Sequence, residues 1–168
     1  FIAFDPEQNF PSPSFVRQIE NQNLHALNIP ELTIITPAAL QTEAERVAQL
    51  HREEGLTVAV IEQEKIFNEF SSGTPDASAY RRLMKMFYDR AEGNENVRPR
   101  YLLLFGDGSY NNRKSMEKLH SPECNMLLTY QSKTSIDERE SFVIEDYFGF
   151  LEDNSGEEIK VDKVCLGI

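Results

Sequence analysis

An α/β fold, a parallel sheet with helices on both faces, is what this 168-residue sequence predicts. Three observations predict it. Short apolar runs recur at residues 32–36 (LTIIT), 56–61 (LTVAVI) and 101–105 (YLLLF), the pattern of strands buried on both faces. Between them, apolar side chains repeat at helical spacing. The links are short, and strand–helix–strand succession of this kind requires right-handed crossovers.

Taken in order, residues 1–30 read as the end of a preceding β module and a linker. Phe1 to Phe4 resemble the tail of a strand, and 5–13 (DPEQNFPSP) hold turn formers and prolines that disfavour a helix. The subdomain proper is expected over 31–168. After the first strand, Thr36-Pro37 reads as an N-cap followed by proline at the first helical position. Leu40, Ala44, Val47, Ala48 and His51 then mark a helical face, and Gly55 ends it. The second strand follows at 56–61, then a short helix at 63–70 broken by Ser71-Ser72-Gly73.

Thr74-Pro75 repeats the helix start, and Tyr80, Leu83, Met84, Phe87 and Tyr88 form the widest apolar stripe in the chain. Gly93 closes that helix before the third strand. Beyond it the pattern weakens. Residues 111–122 are a polar excursion, 126–130 (MLLTY) read as a strand, and aromatic-rich 142–151 contain another. A turn at 153–156 precedes a last strand within 159–168, so the carboxyl-terminal edge is β-rich. The closing Leu166-Gly167-Ile168 is apolar and is expected to run on into further chain.

Composition narrows the function classes. The net charge is −11 with no basic stripe, and phosphate-backbone binding needs concentrated Lys and Arg, so nucleic acid is not an expected partner. No run approaches the ~18 apolar residues of a membrane span, and no basic-then-apolar leader opens the chain. Cys124 and Cys165 are the only cysteines, without a CxxC pair. Cys165, between Val164 and Leu166, reads as a small buried hydrophobe.

The junction after the third strand carries the candidate chemistry. An apolar run stopping at Gly106-Asp107-Gly108 delivers a loop to the carboxyl edge of the sheet, where such folds place their sites. Asp107, Asn111 and Asn112 resemble part of an oxygen-ligand set for calcium, yet only fragments of a calcium-loop pattern are present. The competing reading makes Asp107 a loop cap accepting backbone N–H, with Gly106 and Gly108 supplying special backbone angles. A phosphoryl-accepting Asp107 would need an acid at the end of the first strand, which is Ile35-Thr36-Pro37. No phosphate-cradling glycine loop accompanies it. Glu145 and Asp146, neighbours on an expected strand, would point to opposite faces and make a poor acid–base couple. His25, His51 and His120 are the available bases for a cysteine nucleophile. None sits in an expected strand-end loop beside either cysteine, and His51 reads as a partly covered helix residue.

The succession of residues 51–91 (HREEGLTVAVIEQEKIFNEFSSGTPDASAYRRLMKMFYDRA) and 99–113 (PRYLLLFGDGSYNNR) resembles the gingipain family of cysteine peptidases. The likeness extends from residue 21 to the terminal VDKVCLGI. It implies a caspase-like fold with flavodoxin-like winding, of which this chain is the first subdomain. It further implies, for a longer parent, a thiol peptidase acting as a sortase on C-terminal sorting signals of type IX secretion cargo. The parent is then expected at the outer membrane or cell surface of a Gram-negative bacterium. The family's histidine stands in a His-Gly motif, whereas the residues after the three histidines here are Ala26, Arg52 and Ser121. No catalytic role, cofactor or metal therefore transfers to any residue, and the expected partners are the downstream peptidase subdomain and, in the parent, secreted cargo. The alternative from another class is a non-catalytic binding module with a cation site at Asp107.

Overall fold

Leu32–Thr36 (β1) is buried along its whole length, as a strand with neighbours on both edges and helices on both faces must be. A computed structural model of the chain describes residues 18–113, 124–132 and 142–152, the single positions 12, 14, 15 and 139, and the backbone alone of 163–167. The described elements continue with helix α1 (Gln41–Glu53), strand β2 (Val58–Glu62), helices α2 (Gln63–Phe70) and α3 (Ser78–Arg90) and strand β3 (Tyr101–Phe105). Short strands β4 (Asp107–Gly108) and β5 (Met126–Leu127) form a separate pair. The last strand, β6 (Lys163–Gly167), returns to the main sheet.

That sheet has the order β2-β1-β3-β6 and every pairing in it is parallel. Leu32 lies opposite Val58 on one side and Tyr101 on the other. The register sets the two faces. Leu32, Ile34, Val58 and Val60 pack with Ala44 and Ala48 of α1, whose small side chains let the helix sit close. Ile35, Ile61, Leu102 and Leu104 face Ile66 and Phe67 of α2 and Tyr80, Leu83, Met84 and Phe87 of α3. Each fully buried large side chain in this layer contributes about 2 kcal/mol by transfer from water. The expected three-layer α/β/α arrangement is therefore present.

Several boundaries differ from the sequence reading, for local reasons. Thr36 caps no helix, because it is spent as the last paired residue of β1, opposite Glu62. A 3-10 turn, Ala38–Leu40, follows Pro37, and α1 begins at Gln41. The Thr74-Pro75 start is likewise displaced. Asp76 Oδ1 accepts the Ser78 N–H at 2.8 Å, and the helix opens there. The second strand starts at Val58 rather than 56, since Thr57 is tied to Glu31 through its N–H, hydroxyl and carbonyl.

Gly55 ends α1 as expected, with φ +96°. The Gly55 and Leu56 N–H groups donate to Arg52 O and His51 O, closing the last turn. The strand expected in 142–151 is a 3-10 turn, Glu145–Gly149, with an antiparallel bridge, Gln131 to Val143, beside it. Phe148 turns into the core within this turn. Glu145 and Asp146 accordingly stand in the first turn of a helix rather than alternating on a strand. The 126–130 strand is confined to Met126–Leu127. The strand tail at 1–4, most of the polar excursion after Arg113, and the turn at 153–156 lie outside the described residues.

Candidate functional site

The carboxyl edge of β3 is built by close approach of two backbones. Neither Gly106 nor Gly108 is in the left-handed region, so special backbone angles are not the reason for these glycines. Gly106 is required by space: a Cβ there would lie 2.8 Å from Asn125 O and 3.1 Å from the Leu127 side chain. The Asp107 N–H donates to that same Asn125 carbonyl at 2.8 Å, and β4 pairs in parallel with β5. A side chain at 106 would push β5 off the sheet edge.

The loop that follows is closed by side chains imitating a strand pairing. Asn112 Nδ2 donates to Thr129 O at 2.7 Å, while Thr129 N–H donates to Asn112 Oδ1 at 3.1 Å. The Thr129 hydroxyl donates to Ser109 O at 2.9 Å. Gln131 Nε2 donates to Tyr110 O, and Asn111 N–H to Ser109 Oγ. Tyr110 is left 46 % exposed at the rim.

Beneath this loop lies a buried polar network. The Tyr80 hydroxyl donates to Gln63 Oε1 at 2.7 Å and accepts the Leu128 N–H at 3.3 Å, and Gln63 Nε2 donates to Met126 O at 2.9 Å. Two helices thus hold the 126–128 backbone by its polar groups. Burial pushes the Tyr80 phenol above its ordinary pKa, the Leu128 N–H opposes this, and nearby Cys124 adds to it. Beside it, Tyr130 and Tyr147 stack with centroids 3.4 Å apart. Arg81 lies over the Tyr147 ring and donates to Phe150 O at 2.5 Å.

The candidate residues fall into different roles. Asp107 is exposed, and its Oδ1 accepts the Gly108 N–H at 2.8 Å, the capping geometry weighed against a calcium site. Asn112 Oδ1 already accepts from Thr129, while Asn111 stands exposed beside it. Among the described residues no group of three or more His, Cys, Asp or Glu is arranged to hold a metal. His25 Nδ1 pairs with Glu69 at 2.6 Å and His51 Nδ1 with Glu54 at 2.9 Å, so both described histidines face glutamates rather than cysteines. Cys124 is a buried free thiol, 5 % exposed. His120 and the Cys165 side chain lie outside the described residues.

Gln63, Tyr80 and Thr129 were not among the candidates. A polar Gln63 directly after a buried strand was the signal available for one of them. Tyr80 reads only as a member of an apolar stripe, and its hydroxyl partner is 17 residues away in sequence.

Residues 25–166 match the model of Peptidase family C25. Among solved structures, the chain is similar to dimeric latent PorU from Porphyromonas gingivalis. The match has 43 % identity and a TM-score of 0.74, and it covers 88 % of this chain but 15 % of that one. Comparison with curated proteins found no match.

Proposed function

The chain belongs to peptidase family C25, the gingipain family, and we propose that it is the scaffold half of a cysteine peptidase domain whose parent trims C-terminal sorting signals from type IX secretion cargo. The observation that carries this reading is the 43 % identity with PorU across 88 % of the chain. The whole-protein activity is proposed because this chain spans only 15 % of that relative.

In this reading the nucleophilic thiol and its histidine lie in the companion subdomain. Thiolate attack on a peptide carbonyl gives an acyl-enzyme, and water or an amine nucleophile then releases it. This chain contributes position. Its parallel sheet presents the 107–112 loop at the carboxyl edge, and the Asn112–Thr129 pairing holds that loop as part of the cleft rim. The parent acts at the outer membrane or cell surface of a Gram-negative bacterium. No helix among the described residues is long and apolar enough to cross a membrane.

Two experiments test the proposal. The 168-residue chain, incubated with peptide substrates and a thiol-directed peptidase probe, is expected to show neither turnover nor rapid stoichiometric labelling. Turnover with one cysteine labelled would overturn the scaffold reading. The parent protein, given cargo with and without its C-terminal signal, is expected to cleave only the former, as read by intact mass. Cleavage indifferent to the signal would leave the peptidase family in place and remove the sortase role.

A further inference from the structure

Away from the sheet edge lies the segment that enters the fold. Residues 22–29 carry no regular structure except a 3-10 turn, Leu24–Ala26, yet they lie across α2 and α3 as a strap. Leu24 joins the main core, with Leu27 and Ile29 packed against it. Asn23 precedes the turn but offers it no side-chain cap. The free N–H groups at the start of such a turn need acceptors, and a distant residue supplies them.

That residue is Glu69 on α2. Its Oε1 accepts from Gln22 Nε2 at 2.8 Å and from the Leu24 N–H at 2.7 Å. Its Oε2 accepts from the Leu24 N–H at 2.9 Å, the His25 N–H at 3.3 Å and His25 Nδ1 at 2.6 Å. The His25 ring also stacks on Phe70, with centroids 4.7 Å apart and planes 14° from parallel. Gln22 is held further by Lys65 O and Asn68 Nδ2. From α3, Arg90 donates to His25 O and Leu27 O. The titratable or charged groups around the contact are thus His25 on the strap, Glu69 and Lys65 on α2, and Arg90 on α3.

The Gln22 amide and the Leu24 and His25 N–H groups aimed at the Glu69 carboxylate are all donors, and His25 Nδ1 joins them in the tautomer that carries its proton there. The ionised form matches them, whereas a protonated acid would bring a second proton to a site already full of them. We propose that Glu69 is an ionisation-dependent clasp for the strap, and that neutralising its carboxylate releases residues 22–27 while the sheet stays folded. Partial burial would raise the pKa of this carboxyl, but the bonds from Gln22, Leu24 and His25 outweigh it and leave a net lowering. The clasp therefore holds at neutral pH and opens as pH falls through the folded-state value. It is independent of the reaction the parent performs.

Amide exchange on the 168-residue chain tests this. In Glu69→Gln at pH 7, the Leu24 and His25 amides are expected to exchange at least about tenfold faster than in the wild type, because bonds to a charged acceptor are being lost. The β3 amides of Leu102 to Leu104 should change by less than about twofold. A second measurement uses the wild type alone. From pH 7 to 3, corrected for intrinsic exchange, strap protection should fall before β3 protection does. Unchanged strap protection in the variant, or strap and β3 loosening by the same factor in either experiment, would overturn the clasp. A variant unable to fold would also overturn it, since the sheet is required to survive release.

Discussion

Removing one oxygen, by Tyr80→Phe, tests whether the buried polar network holds the sheet edge together. The ring of Tyr80 is fully buried, and its hydroxyl is the partner of Gln63 Oε1 at 2.7 Å and of the Leu128 N–H at 3.3 Å. Phenylalanine keeps the packing and strands both groups. An unpaired buried polar group costs about 1–3 kcal/mol; with one short bond and one long one, the expected loss is about 3 kcal/mol. For a chain of this length that lowers Tm by roughly 6–12 °C.

The chain contains no tryptophan, so urea unfolding followed by far-UV circular dichroism is the suitable assay, with an unchanged m-value as control. A double-mutant cycle with Gln63→Leu should return a coupling of about 1 kcal/mol or more. The pH response has a definite sign. The folded-state pKa of Tyr80 is raised, so its contribution is complete below the unfolded phenol pKa of about 10. It is lost as pH rises toward and through the folded-state value, and the Phe variant should lack this alkaline component. A loss within about 0.5 kcal/mol, with no coupling to Gln63, would refute the reasoning and reduce Tyr80 to a core aromatic.

Further outcomes follow from the same geometry. Gly106→Ala should destabilise by about 1–3 kcal/mol, since its Cβ would meet a backbone carbonyl at 2.8 Å; thermal melting checks this, and a neutral result would mean that β5 can move aside without cost. Asn112→Ala should cost about 1–2 kcal/mol by leaving both polar groups of buried Thr129 short of a partner, and faster proteolysis of the 107–131 region would report the opened loop. Because Glu69 has a lowered folded-state pKa, its contribution is full above the unfolded value and disappears as pH falls through the folded one. Melting curves from pH 7 to 3 should therefore show a smaller acid loss in Glu69→Gln than in the wild type. Calcium is expected to leave Tm unchanged, with Asn112 Oδ1 engaged by Thr129. A saturable rise, about 2.7 kcal/mol at one hundred times Kd, would instead establish a site at Asp107.

The layered architecture was legible in the order of the residues alone. Three apolar runs separated by helical stripes admit little besides a wound parallel sheet, and β1, β2 and β3 formed within two residues of where those runs stand. Local signals failed where a tertiary contact outbid them. Thr36 could not cap a helix while paired with Glu62, and residues 145–149 became helical as Phe148 entered the core.

The site depended on such contacts almost entirely. Asp107 as a loop cap was readable because its partner is the next residue. The close approach at Gly106, the Asn112–Thr129 pairing and the Gln63–Tyr80–Leu128 network join residues 17 to 48 positions apart or more. Hydrophobic spacing records which face of an element is buried. It carries no information about which distant carbonyl or amide will stand opposite a given polar atom, and only the packed chain decides that.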